Sequence, residues 1–528
     1  MKTIRLFQVS MLLALTLIAA GCASDEATKT EQQGSTPAGT TVFSGETHPS
    51  TATRTAIVDH TKNAGANVIW AATDKVWVKD DASAWQQSGA ATFPIAANKA
   101  KATFTLNGTY TGTTHDVIYT NLPITGTPQV EIKAAQTQLA ANNFDHAGEA
   151  GDLGIATANR QSDGNIYQFT LTHKSSYLCF LPRCMNVELG KNIYLTKVTI
   201  TADKPIAGTF NIVGGSIAGN APAANSSNTI TLTTNNFPLN NTVADVTKNA
   251  AYMVIAPGTY NFTIGYTIKD PTTNVEGTIT KTLTAFTCDE GKIHDLTANL
   301  TPTDYDGNHY YMWDAQKQYW DGWEWTKNLP DGQPTLRPHN SENYPKSNTD
   351  PRWYNETDPG LGTIRFDAQT PYFKTLPNSN ELSWYVMKGD PHWDTERLWS
   401  TMGHLYKGGM WIKKKSVLQA DGNYDTEKSA DGVTDLRTTK KNYMQMFLPQ
   451  TPPPTANLND YFYLPALNSY NQGYLWFMGT EGDYWGSSTE PILHNGVILV
   501  ITSYSIGLNY FPRDRGFIAQ PFSDFGDN

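Results

Sequence analysis

Cysteine is scarce in this 528-residue chain, with four in all, and no Cys or His cluster has the spacing of a zinc site. Beyond Cys22 only Cys179, Cys184 and Cys288 remain, an odd count that leaves room for one bridge and a leftover thiol. "LCFLPRC" could close on itself, or either of its cysteines could meet Cys288. Basic clusters are also lacking. Loss of Lys2 and Arg5 with a cleaved signal would leave 37 basic against 49 acidic residues, a net charge of −12. Such a chain is a poor nucleic-acid binder, and no nucleic-acid partner is expected. No G-x-S-x-G, H-E-x-x-H or phosphate loop occurs, so neither an enzyme nor a cofactor is expected.

Long apolar runs are missing too, apart from Leu6 to Ala20 behind the positive Lys2 and Arg5. That run is too short for a permanent membrane helix and reads as a secretory signal, residues 1–21. It ends in "LIAAGC", which resembles the bacterial lipobox and implies cleavage before Cys22 with acyl chains such as palmitate on that residue. The following "ASDEATKTEQQGSTPAGTT" holds no aromatic residue and cannot bury enough surface to fold, so residues 22–54 read as a tether and leader. Asp25 and Glu26 resemble an acidic signal for the outer face of the outer membrane.

What is abundant is short β-prone runs. From Thr55 to about Pro302, segments such as "KVWVKD", "KATFTLNG", "IYQFTLTH" and "YNFTIGYTI" alternate with Gly, Asn, Asp and Pro. Period-two alternation, as in Phe169, Leu171 and His173, marks half-buried strands, and many of them in series argue for β-sandwiches. The polar "NRQSDGN" (159–165) is the expected seam, giving modules at 55–160 and 161–301. The strand-poor 133–158 is expected to hold a short helix. At about Pro302 the composition changes: eleven of the fourteen tryptophans fall between Trp313 and Trp485, in a loop-rich tract. Residues 302–528 are therefore a third, mixed domain, in which only "HWDTERLWSTMGHLY" looks helical and the tail returns to strands. The fold class is mainly β.

The early "TRT", "VIWAATDKVWV" with Trp70, Asp74, Lys75 and Val78, "ATFPI", "ATFTLNG", "FTLTH", "YLCF", "IAGTFNI", "YMVIAPG" and "GKIHDLTANL" resemble the fimbrillin family, lipoprotein-derived subunits of type V pili. The resemblance covers about residues 40–300 and implies two tandem transthyretin-like β-sandwiches. It also implies an arginine-specific cut, here between Arg54 and Thr55, that removes the leader with its first strand, "TTVFSG". Within that strand Val42, and with it Phe43, is expected to face a core. Beyond Pro302, "YFYLPA", "DYWGSST" and "RGFIAQPF" resemble the major paralogous domain of bacterial surface proteins, whose fold is similar to C-type lectins. The resemblance implies partnership with other pilin subunits by strand addition, and a chain first anchored by lipid in the outer membrane, then surface-exposed in a fimbrium. The absence of a donor strand after the second sandwich suits a tip or accessory subunit with an adhesive domain. The alternative is a lipid-anchored glycan-binding protein that does not polymerise.

Trp384, Tyr385, Trp393, Trp399 and Trp485 are the candidate ligand-binding rings for a host or microbial glycan or protein, the first three and Trp485 because Gly, Asp and Pro lie near them. Asp390 with Asp394, and Glu356 with Asp358, are read as turn formers rather than an acid–base pair, so no catalytic residue is assigned. "DYDGN" (304–308) opens like a calcium loop but lacks its later Glu and is read as an interdomain turn, so no metal site is assigned. His173 is read as a structural histidine, and Lys413 to Lys415 as a solvated charge run.

Overall fold

The computed structural model describes residues 40–46, 56–162, 166–219, 221–360 and 364–527. The chain is mainly β. An eight-stranded sheet forms the first region, in the order Trp85–Gln87, Trp77–Lys79, Thr114–Tyr119, Gly154–Arg160, Ile166–Thr170, Thr40–Glu46, Lys101–Asn107, with Thr172–His173 beside Gly154–Arg160. Its inner face is aromatic: Phe43, Trp70, Phe104, Tyr167 and Phe169 form one buried cluster.

The expected seam at 160/161 is instead a hairpin. Asn159 lies opposite Gln168 and Arg160 opposite Tyr167, so the first region continues to His173. A polar Asn/Asp/Gly run serves a hairpin turn as well as a linker, and composition alone does not separate the two. Conversely, Gln129–Ile132 and Ala135–Gln138 pair with Ala207–Val213 and Thr229–Pro238 of the second region. The stretch expected to be strand-poor thus contributes Ala135–Gln138 and most of Gly154–Arg160 as well as its short helix, Ala147–Ala150. Around a second core stand a five-stranded sheet built on Gly258–Asp270 and a three-stranded one, Ala251–Ile255, Ser176–Arg183, Ile293–Asn299.

Ile293–Asn299 closes the second region, and Thr303–Tyr305 pairs with His392–Thr401 of the third. Among the described residues that third region holds sheets of four and six strands and a two-stranded pair, around the Tyr, Trp and Leu cluster that includes Trp399, Tyr470 and Tyr484. "HWDTERLWSTMGHLY" is not a helix but most of a β-hairpin, His392–Thr401 with His404–Lys413. The helix lies earlier, at Ser379–Lys388, with a capping box between Asn378 and Glu381. The hairpin's tip docks on the second region, where Leu398 and Leu405 join the second core. Asn192 Nδ2 donates to the Gly403 carbonyl at 2.8 Å and Thr273 Oγ1 to that of Leu405 at 2.9 Å.

Cys179, Cys184 and Cys288 are all buried and free. Cys179 and Cys184 are five residues apart along one extended stretch, and odd separations in a strand put side chains on opposite faces. No helix among the described residues is long and apolar enough to cross a membrane.

Candidate functional site

The leader strand is the first feature with a chemical consequence. Thr40–Glu46 lies between two neighbours, parallel to Ile166–Thr170 and antiparallel to Lys101–Asn107. Phe43, not Val42, supplies the core contact: it is wholly buried, stacked on Tyr167 at 4.8 Å and edge-on to Tyr110 at 5.2 Å. Val42 is half-buried. Burying one such ring contributes about 1.5–3 kcal/mol. Two residues on, a side chain on Gly45 would lie 2.8 Å from the Phe169 ring and 2.9 Å from Trp70, so glycine is needed there for close packing. Removing this strand would leave two sheet edges with unpaired backbone groups and an aromatic slot between them. Cys22, Arg54 and Thr55 lie outside the described residues.

The five candidate rings of the third region are corrected by their burial. Trp384, Tyr385, Trp393, Trp399 and Trp485 are each at most 7% exposed. Four of the five have their polar ends satisfied internally. Trp384 Nε1 donates to the Lys428 carbonyl at 2.8 Å, Trp399 Nε1 to Gly408 at 3.0 Å, Trp485 Nε1 to Tyr311 at 2.8 Å, and the Tyr385 hydroxyl to Asp527. Neighbouring turn residues bend the chain without exposing the ring; here the loops fold back over the sheets and the rings fill the space beneath.

Exposed aromatics stand elsewhere. Trp476 is 40% exposed and Phe477 55%, just beyond the short pair Tyr470–Asn471 and Tyr474–Leu475. The Arg337 guanidinium lies 3.5 Å from the Phe477 ring centre and donates through Nε to the Tyr474 hydroxyl at 3.0 Å. Beside them is a cleft of about 440 Å³ lined by Trp476, Phe477, Phe511, Phe517, Asn468 and Asp483. Burial, reinforced by the Glu481 carboxylate, holds the Asp483 carboxyl well above the usual carboxylate range. Its Oδ1 is buried without a hydrogen-bond partner. Flat rings beside a buried carboxyl with an unpartnered oxygen suit a polar ligand with an apolar face. The sequence reading missed this cleft, although "YLWFMG" places two large rings side by side in a loop, where alternation could bury only one.

The remaining sequence candidates have structural partners. His173 Nδ1 meets Asp152 Oδ1 at 2.8 Å, both buried, as expected of a structural histidine. Asp394 Oδ1 accepts the Glu396 and Arg397 amides at 2.9 Å, and its Oδ2 the Trp411 Nε1. Asp390 accepts from Tyr461, Glu356 from Trp353, and Asp358 from the Gly360 amide. Asp306 of "DYDGN" caps the Asn308 amide at 2.8 Å, a turn role. Lys413 faces Asp421 at 3.9 Å and Lys415 faces Glu381 at 3.5 Å.

No family model matches the chain, and no curated protein does. Solved structures do resemble it. One is a protein provisionally named a cell adhesion protein from Bacteroides ovatus, 12% identical, covering 49% of this chain and 92% of its own, with a TM-score of 0.33. A fimbrial protein from the same species is 13% identical over 51% of each chain, TM-score 0.24. A third, provisionally a polysaccharide binding protein from Bacteroides thetaiotaomicron, is 9% identical over 49% of this chain and 92% of its own, TM-score 0.26. At such identities and scores, function has to be argued from the geometry.

Proposed function

We propose that this chain is a non-enzymatic pilus subunit, lipid-anchored at Cys22, that assembles by strand addition and presents its third region as an adhesive tip or accessory domain. The observation that carries the reading is the leader strand. Thr40–Glu46 is bonded on both sides and packed through Phe43, yet it precedes Arg54 in the chain. A cut between Arg54 and Thr55 would sever it, with its lipid, from everything it packs against. Its departure would open an aromatic slot that an incoming strand of another subunit can fill with backbone hydrogen bonds and one ring. The route of the chain after the second region supports a terminal position. Ile293–Asn299 is followed within four residues by a strand committed to the third region, which leaves no free segment between the two regions to donate.

The test is Arg54→Ala in cells that make the whole pilus. The variant should stay in the outer membrane with its leader and disappear from shed fibres. Incorporation at the wild-type level would overturn the cleavage step.

A second reading, a lipid-anchored glycan-binding protein that does not polymerise, is favoured by the exposed rings and the unpartnered Asp483 oxygen of the Trp476 cleft. It expects glycan binding by the uncut, membrane-bound chain and no polymer.

A further inference from the structure

Three residues far apart in the sequence meet in a buried cluster at the junction of the leader-proximal hairpin with the second region. The three-stranded sheet of that region carries a row of side chains straight across it, because Tyr252 pairs with Cys179 in one ladder and Cys179 with Asp295 in the next. Over this row lies the hairpin Ala56–Thr61 with Gly65–Ile69, which delivers His60. His60 Nδ1 is 3.0 Å from the Tyr252 hydroxyl, and the Asn63 amide donates to Asp295 Oδ2 at 2.7 Å. The remaining atoms converge: one His60 nitrogen, the Cys179 sulfur and one Asp295 oxygen all lie within 4.8 Å of one another.

We propose that His60, Cys179 and Asp295 form a zinc-class metal site that fastens the hairpin to the second region. Three observations support it. The His60 and Asp295 side chains are only 4% and 2% exposed, and Cys179 is wholly buried. His60 Nε2 and Asp295 Oδ1 face each other at 3.4 Å, and neither makes a hydrogen bond of acceptable geometry. That spacing is what tetrahedral coordination requires, since bonds of ~2.0–2.2 Å from zinc to N and O put the two donors about 3.4 Å apart. One imidazole, one thiolate and one carboxylate make a mixed set suited to a borderline-soft ion, with the fourth position left to water. The second ring nitrogen and second carboxylate oxygen are each already held, by Tyr252 and Asn63, so both ligands are pre-oriented. Binding the ion displaces the Cys179 thiol proton to solvent.

The site would hold the segment just after Arg54 in place whether or not the leader has left, and it does not rest on the pilus reading. The test uses the full chain purified in detergent, dialysed free of metal and titrated with zinc and then with cobalt. Zinc should bind at one equivalent and raise the melting temperature, and cobalt should give a thiolate-to-metal charge-transfer band. Cys179→Ser should abolish that band, and His60→Ala should lower affinity at least tenfold. Wild-type protein that takes up no zinc, or binds cobalt without the thiolate band, overturns the proposal whatever the variants do. Full metal occupancy in a folded Cys179→Ser chain overturns it as well.

Discussion

His404 and Asp270 meet across the boundary between the second and third regions, with Nδ1 3.0 Å from Oδ2 and the carboxylate fully buried. The same oxygen accepts the Leu405 amide at 3.1 Å, and the other accepts the Thr272 amide at 2.8 Å. This one side chain therefore fixes the tip of the His392–Lys413 hairpin to the end of a core strand. The two regions are joined by a docked surface as well as by the chain itself.

Asp270→Ala should consequently loosen the junction. Removing a buried acceptor strands the two amides and His404, at about 1–3 kcal/mol for an orphaned group. The measurement is thermal melting together with limited proteolysis at residues 300–303, where the variant should be cut sooner.

A pH dependence follows from the same contacts. Burial by itself would raise the Asp270 pKa, but the hydrogen bonds from His404, Leu405 and Thr272 outweigh it and hold it below the usual value. A depressed folded pKa means that the stabilisation is complete above the unfolded value, about 4, and is lost as pH falls through the lower folded value. Denaturation midpoints of wild type and Asp270→Asn should therefore differ most at neutral pH and converge in strong acid. Equal spacing at every pH would deny Asp270 this role.

The two kinds of aromatic ring separate cleanly by experiment. Trp399→Ala removes a wholly buried ring and should cost ~3–5 kcal/mol of stability. Trp476→Ala removes an exposed ring and should leave melting within about 0.5 kcal/mol of wild type. If the cleft binds ligand, Trp476→Ala or Phe477→Ala should weaken binding to a glycan array by ~1 kcal/mol or more. Unchanged binding in both would remove the cleft from consideration.

Much of the fold was legible, and the failures have identifiable physics. Strands between 55 and 300 announce themselves because one face of each is buried and Phe, Val and Ile recur every second residue. The hairpin at His392–Lys413 escaped because its alternation is broken: between the pairs Asp394–Gly409 and Leu398–Lys407, three residues stand opposite the single Gly408. Its turn is disguised as well, since Met402 takes the positive φ (49°) that Asn or Asp ordinarily signals, before Gly403 at 79°. The missed helix carried its sign openly in Asn378 and Glu381, followed by Leu382, Tyr385 and Val386 at helical spacing. Ring exposure was not legible, because it depends on which loop folds back over which sheet. The His60, Cys179 and Asp295 cluster was equally hidden, its members being joined by ladder register rather than spacing.

The Thr40–Glu46 strand offers the sharpest remaining test, because its hold on the sheet can be weakened without touching the proposed cut. Phe43 lies between Tyr167 and Tyr110, so Phe43→Ala should cost ~3–5 kcal/mol of leader affinity while keeping the backbone ladders. Gly45→Val acts by the opposite means, forcing atoms into the Phe169 and Trp70 rings, with an overpacking cost of about 1–3 kcal/mol. Once the wild-type chain has been cut with trypsin, the leader should dissociate slowly, and in both variants faster. A free peptide spanning 40–46 should then rebind the cut chain and block entry of another subunit's strand, whereas the same peptide carrying Ala at position 43 should not. If the cut chain ignores the wild-type peptide yet still polymerises, the slot vacated by Thr40–Glu46 is not the one that receives the incoming strand.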